Sequence, residues 1–246
     1  MSPNTKALRQ RLLDQASEPY RSAGKFAFHF ARHKLGMDPV FCAMLERGLF
    51  PDQARILDLG CGQGLLATWL LSARHRYDLG DWPEEWPTPP LGVKVRGVDL
   101  LARDLERARL ALGDRASFEE GDMRQVDFGQ VDVVIILDAL HFLDGPAQAD
   151  ILRRVRIALT PRGLLLVRVG DAGAGLRFHL SHWIDSRVAW CRGVGPPHLH
   201  CRPLSDWIQA LKILGFHVES APMNGNLPFA NYLLIARLDE ASGPLI

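Results

Sequence analysis

Long apolar runs are missing from this 246-residue sequence. None approaches the roughly 20 residues that a helix needs to cross a bilayer, so no membrane span is expected. The opening stretch MSPNTKALRQRLLDQ is polar and charged and lacks the apolar centre of a secretion signal. Cysteine is scarce. Cys42, Cys61, Cys191 and Cys201 form no CxxC pair and no small-scaffold spacing, which argues against a disulfide framework and predicts a reduced, cytoplasmic protein. An excess of one charge is absent too: 29 Lys and Arg face 28 Asp and Glu, for a net charge of +1. The basic residues are dispersed, so no nucleic-acid footprint is expected, and the basic stretch RRVRIALTPR (153–162) reads as a solvated helix face. No internal repeat appears.

What is present is an α/β pattern. The first fifty residues read as helices, with Asp38 as an N-cap and Pro39 at a first helical position. From Arg55 onward, strand-like and helix-like segments alternate: RILDLG, GLLATWLLSAR, VKVRGVDL, LARDLERARLAL, ASFEEGDM, VDVVIILDAL, AQADILRRVRIAL and RGLLLVRVG. VDVVIILDAL is the most apolar and is expected to be central, since strands covered on both faces lose alternation. RPLSDWIQALKILGF reads as a further helix with Ser205 as N-cap and Gly215 as stop. HVESAPM and NYLLIARL follow as strands, joined by a connection too short for a helical crossover, so this pair is expected to be antiparallel. The fold class is therefore a Rossmann-like, doubly wound, seven-stranded sheet, mostly parallel with an antiparallel last strand. Residues 1–50 are expected to form an N-terminal helical cap and 51–246 the main domain.

Two insertions interrupt the alternation. YDLGDWPEEWPTPPLG (77–92) leaves a helix, and its position suggests a structural role. The segment from Asp171 (171–203) follows the fifth strand, at the edge where loops of α/β proteins carry specificity, and is expected to be a helical lid.

The most informative stretch is ILDLGCGQGLLA (56–67). Gly60, Gly62 and Gly64 sit where a strand hands over to a helix, and residues without Cβ let backbone approach a ligand there. The pattern is GxGxG, not GxGxxG, and no Gly-Lys-Ser/Thr follows, which argues against a phosphate-binding P-loop. Asp58 ends the strand before the loop. A negative charge there is poorly placed for a pyrophosphate and suits a cofactor with a cationic amino acid moiety. The acidic residue of a dinucleotide site is expected about 20 residues on, whereas Asp99 comes much later; the insertion at 77–92 accounts for such a delay, so spacing alone leaves NAD open.

With its flanks, ILDLGCGQG resembles the first motif of class I S-adenosylmethionine (SAM)-dependent methyltransferases. The likeness continues in order through VRGVDL, EEGDMRQ, VDVVIILDALHFL, LTPRGLLLV and the final LGFHVE and NYLLIARL, covering roughly residues 55–238. The resemblance implies SAM as cofactor and S-adenosylhomocysteine (SAH) as product. It assigns the cofactor to Asp58, Gly60, Cys61, Gly62 and Gly64, and to Asp99, whose carboxylate would take both ribose hydroxyls. Leu100 lies beside Asp99. Asp122 and Met123 would meet the adenine, and Leu137 and Asp138 stand at the fourth strand end, beside the methyl group. Cys61 has no base near it in sequence and reads as a small apolar filler. From the N-terminal segment, Tyr20, Arg21 and Lys25 are candidates to reach the site, with Arg21 or Lys25 pairing the methionine carboxylate.

For chemistry, His141 in DALHFL is either a general base or a pocket wall; a base is needed only where the acceptor holds a proton. His179 and His182 share a helix face of the lid and either line the acceptor pocket or are ordinary histidines. His198, His200, Cys191 and Cys201 match no standard zinc spacing, so no metal is expected. LDAL stands where relatives acting on base or amide nitrogens carry an Asn/Asp-Pro-Pro-Tyr type motif, which argues against nucleic acid. The expected acceptor is small and aromatic or polyketide-like, methylated on oxygen first and carbon second. A further likeness of the flanking segments to methyltransferases of bacterial aryl-polyene pigment synthesis implies an aryl acceptor, possible cargo of an acyl carrier protein. A non-catalytic SAM-binding partner protein and an NAD-linked oxidoreductase are the alternatives.

Overall fold

The computed structural model describes residues 3–174, 199–223 and 231–239. The chain divides into two compact units, Met1–Met123 and Arg124–Ile246. The seven-stranded, mostly parallel fold expected from the sequence is present, three strands in the first unit and four in the second. Among the described residues no helix is long and apolar enough to cross a membrane.

In the first unit, helices α1 (Pro3–Ser17), α2 (Lys25–Met37) and α3 (Pro39–Glu46) precede strand β1 (Arg55–Leu59). Helix α4 (Leu65–Asp78), β2 (Lys94–Asp99), α5 (Ala102–Leu112) and β3 (Ser117–Glu120) follow. The strands run parallel in the order β3-β2-β1, with Asp58 opposite Gly97 and Asp99 opposite Glu120. Helix α3 starts as expected: the Asp38 side chain accepts from Val40 N at 3.1 Å, and Pro39 occupies a position whose missing N–H costs nothing. Helix α4 is buried along nearly its whole first half, Leu65 to Leu70, and Trp69 donates its indole N–H to Phe41 O at 3.0 Å. The 77–92 insertion packs against α1. Arg11 forms a forked pair with Asp81, Thr5 donates to Glu85 at 2.8 Å, and the Arg9 guanidinium lies over the Trp86 ring.

In the second unit, β4 (Val131–Leu137), helix α6 (Gly145–Ala158), β5 (Leu159–Gly170), helix α7 (Leu204–Ile213), β6 (His217–Pro222) and β7 (Asn231–Arg237) give the strand order β4-β5-β7-β6. β4 and β5 are parallel, and β7 is antiparallel to both β5 and β6. Val133 to Ile136 and Leu164 to Val167 are essentially fully buried, in keeping with the unbroken apolar reading of β4. Helix α7 closes on Gly215 at φ 84°, with Gly215 N donating to Lys212 O and Phe216 N to Leu211 O, the paired bonds of a Schellman end. Its other end differs from expectation. The helix begins at Leu204, one residue before the expected cap Ser205, and the Leu204 amide is met by Asp171 Oδ1 at 3.0 Å. A carboxylate delivered from the end of β5 satisfies that donor, so the serine hydroxyl is left to bond Asp206 instead.

Candidate functional site

Three carboxylates stand at the carboxyl ends of three parallel strands of the first unit: Asp58 on β1, Asp99 on β2 and Asp122 just past β3. Between Asp58 and helix α4 the chain makes the glycine loop. Gly60 N and Cys61 N both donate to Val98 O, at 2.8 and 3.1 Å, which turns the chain toward β2. Gly60, Gly62 and Gly64 have φ values of 81°, 54° and 76°, all in the left-handed region that side chains disfavour. Gly64 is also a matter of space, because a Cβ on it would lie 2.7 Å from Phe118 Cζ.

Asp99 is the anchor of this loop. Its Oδ2 accepts from Gly62 N at 2.8 Å and its Oδ1 from Leu101 N at 2.9 Å. An ionised carboxylate offers about four acceptor positions, so two backbone amides leave room for a pair of ligand hydroxyls. Gly121 N donates to Asp99 O at 3.0 Å, which sets Asp122 and Met123, both half-buried, directly beyond the Asp99 strand end. Leu100 is 64% exposed and presents an apolar side chain beside the same carboxylate.

Asp58 is buried, and desolvation, with the nearby Asp99 charge adding to it, pushes its carboxyl up to about 7. A cation brought to it would reverse that shift. Cys61 is buried against β2: a Cβ on Gly97 would stand 2.6 Å from its Sγ. Burial first, then the charges of Asp58 and Asp99, hold the thiol well above its ordinary value, so it stays protonated and acts as the filler its sequence context suggests. Gly97 had no role in the sequence reading, although a glycine inside a strand pattern signals close approach.

The N-terminal segment meets this loop through a different residue from the two cations. Tyr20, fully buried, donates its hydroxyl to Gln63 O at 2.8 Å. Arg21 is 62% exposed, paired with Glu18 at 2.9 Å and lying over the Phe28 ring. Lys25 is exposed at the first residue of α2.

In the second unit, Leu137 ends β4 and Asp138 follows in the left-handed region at φ 55°. The Asp138 carboxylate accepts from Arg168 Nε at 2.6 Å and also pairs with its Nη2; Arg168, buried on β5, is the residue in register with Leu137. His141 lies in the short turn Leu140–Phe142 with its ring centroid 4.4 Å from that of Phe142. Gln148, fully buried on α6, donates to Leu140 O, Leu143 O and His200 O at 3.1, 2.9 and 2.7 Å, and His200 N donates to His141 O at 2.8 Å. This polar clamp around His141 carried no sequence signal. His179, His182, Cys191 and His198 lie outside the described residues.

Residues 56–163 match the family model described as a methyltransferase domain. The carboxy-S-adenosyl-L-methionine synthase of Chromohalobacter salexigens is 31% identical over 135 residues, covering 48% of this chain and 50% of that protein. The trans-aconitate 2-methyltransferase of Variovorax paradoxus is 28% identical over 159 residues, covering 62% of this chain and 52% of that protein. The chain thus spans about half the length of the curated relatives it matches. Among solved structures, an O-methyltransferase family protein from Burkholderia thailandensis is similar with a TM-score of 0.62 at 20% identity, over 90% of this chain and 63% of that one.

Proposed function

We propose that the chain is a class I SAM-dependent methyltransferase that moves the methyl group of SAM to a small acceptor, releasing SAH; the methyltransferase-domain match over residues 56–163 supports the reading. The observation that carries the reading is the first unit's arrangement of a left-handed glycine loop fastened by Gly62 N to Asp99, with the buried Asp58 carboxylate before it.

The residues present fit this cofactor. Asp99 keeps acceptor capacity for two ribose hydroxyls after serving two backbone amides. Asp58 supplies a negative charge that a methionine-type ammonium would stabilise in its ionised form. Asp122, Met123 and Leu100 are proposed to frame the adenine, and the glycines give a ligand access to backbone. Arg21 and Lys25 are proposed as contacts of the cofactor carboxylate through rotation of their exposed side chains, Arg21 leaving its pair with Glu18. When bound, SAM supplies an electrophilic methyl on a sulfonium. The chain's task is to hold cofactor and acceptor in line and to exclude water.

His141 is the proposed base for an acceptor that holds a proton, such as a phenol; an already ionised acceptor would need none. Leu137 and Asp138 are proposed for the cofactor on the resemblance of the fourth-strand motif, with Asp138 acting through its backbone, because its carboxylate is engaged by Arg168. His179 and His182 are proposed to contact the acceptor. Oxygen methylation of an aromatic or polyketide-like acceptor is the first choice and carbon methylation the second. The names of the Burkholderia and Variovorax proteins support a methyl-transfer reading.

A labelled-methyl assay with SAM against phenols, small carboxylic acids and aryl acids loaded on an acyl carrier protein tests this reading. Label on at least one oxygen or carbon acceptor is expected. SAH binding with no transfer to any of them would favour the non-catalytic SAM-binding alternative.

The raised carboxyl of Asp58 makes a second prediction. Binding of an ammonium requires Asp58 ionised, and the free protein takes up a proton there below about pH 7. Affinity for SAH, measured by calorimetry, is therefore expected to fall by about tenfold per pH unit below 7 and to level off above it. Asp58→Asn should bind weakly with a flat profile. A wild-type affinity unchanged between pH 5.5 and 7.5 would remove Asp58 from contact with the amino group.

A further inference from the structure

Two hydrogen bonds tie the N-terminal segment to the glycine loop, and they converge on one residue. Tyr20 donates its hydroxyl to the backbone carbonyl of Gln63 at 2.8 Å, and Gln63 Nε2 donates to Ala27 O in the first turns of α2 at 2.9 Å. Tyr20 is 0% and Gln63 2% exposed, so neither bond is open to exchange with water. We propose that the segment from Tyr20 to Ala27 is a strap that sets the cofactor-competent shape of the glycine loop, with Tyr20 and Gln63 as positioning residues. The inference rests on the SAM reading of that loop.

The position of the bond is what distinguishes a strap from ordinary packing. Gln63 lies between Gly62 and Gly64, both left-handed at φ 54° and 76°. The loop around Gln63 is held from different directions. Gly62 N is fixed by Asp99 Oδ2, Gly64 N by Cys61 O, and Gln63 O by Tyr20. Releasing Gln63 O removes one of the two bonds that hold the peptide joining Gln63 to Gly64, and glycines have many alternatives to their present conformation. A loop that is only fractionally in its binding shape binds with an affinity reduced by that fraction. The phenol is suited to the task. Burial pushes its ionisation far up, so it stays a neutral donor across the working pH range.

A nearby contact provides the control. Thr68 Oγ1 donates to Ala16 O at 3.0 Å, tying the same N-terminal helices to α4 one turn beyond the loop. It stabilises the packing of α1 without touching the loop's peptide groups.

The experiment measures SAH affinity by calorimetry and unfolding temperature for the wild type, Tyr20→Phe, Gln63→Leu, their double variant and Thr68→Val. Tyr20→Phe is expected to weaken SAH about tenfold, corresponding to a competent loop population near a tenth. Gln63→Leu should weaken it similarly, with the double variant clearly less than the product of the two, because both act on one loop state. Thr68→Val should lower the unfolding temperature and leave SAH affinity as in the wild type. A folded Tyr20→Phe with wild-type SAH affinity would overturn the strap. So would an equal loss of affinity in Thr68→Val, which would reduce the effect to general destabilisation. Hydrogen exchange on the wild type keeps the proposal testable if Tyr20→Phe does not fold. Adding SAH should raise protection of residues 20–27 together with 60–65, and protection rising only in the loop contradicts coupling. A wild type that fails to bind SAH at all would instead remove the SAM reading itself.

Discussion

Replacing Asp99 with alanine is expected to weaken SAM and SAH binding by at least about 100-fold, because charge-assisted hydrogen bonds are worth about 1.5–3 kcal/mol each and more than one is lost. The carboxylate has two tasks. It fastens the glycine loop through Gly62 N at 2.8 Å and the start of the following turn through Leu101 N at 2.9 Å. It also offers its remaining lone pairs to the ribose hydroxyls. Asp99→Asn separates these tasks in part, since the amide keeps one acceptor oxygen and loses the charge; its affinity should fall between those of wild type and alanine. Calorimetric titration with SAH checks both. An Asp99→Ala protein that binds SAH as the wild type does would take Asp99 out of the site.

The second large effect is on stability. Arg168 is 4% exposed, and its forked pair with Asp138 is its charge partner at the end of β4. Asp138→Asn keeps a residue tolerant of φ 55° but removes the carboxylate charge from its fork with the guanidinium. Breaking a fully buried pair from one side costs about 3–5 kcal/mol; with Asp138 half-buried the expected loss is about 1–3 kcal/mol, read as a lower unfolding midpoint in urea. Arg168→Met combined with Asp138→Asn should recover part of the loss, because the buried cation is removed together with its carboxylate. A single Asp138→Asn variant as stable as the wild type would mean that this pair contributes nothing net.

These two aspartates show where sequence reasoning reaches and where it stops. The strand-end positions of Asp58 and Asp99 and the loop that carries the three glycines were legible because they follow apolar runs that must be strands, and strand ends of a parallel sheet are where ligands are expected. Their local order along the chain already contains their arrangement in space. Asp138 also sits at a strand end and was read by the same rule. Its carboxylate, however, is taken by Arg168, a residue 30 positions later and the one charge in the otherwise apolar run LLLVRVG. Periodicity says which face a residue occupies, not which long-range charge finds it. The same limit hid the link from Tyr20 to Gln63, 43 residues apart, and the capping of α7 by Asp171 rather than Ser205. In each case a side chain delivered by a distant element took a partner to which no local rule pointed. The acceptor is the least legible part, because its expected determinants His179 and His182 lie in the insertion after β5, where a shared helix face does not say what that face meets.

The central claim is that the glycine loop and its carboxylates hold SAM. A thermal-shift comparison of SAM, SAH and NAD on the intact chain tests it directly. At a ligand concentration 100 times its dissociation constant, binding adds about 2.7 kcal/mol to stability, enough for a clear rise in unfolding temperature. SAM and SAH are expected to raise that temperature and NAD to leave it unchanged. Stabilisation by NAD with no response to either adenosyl compound would contradict the account.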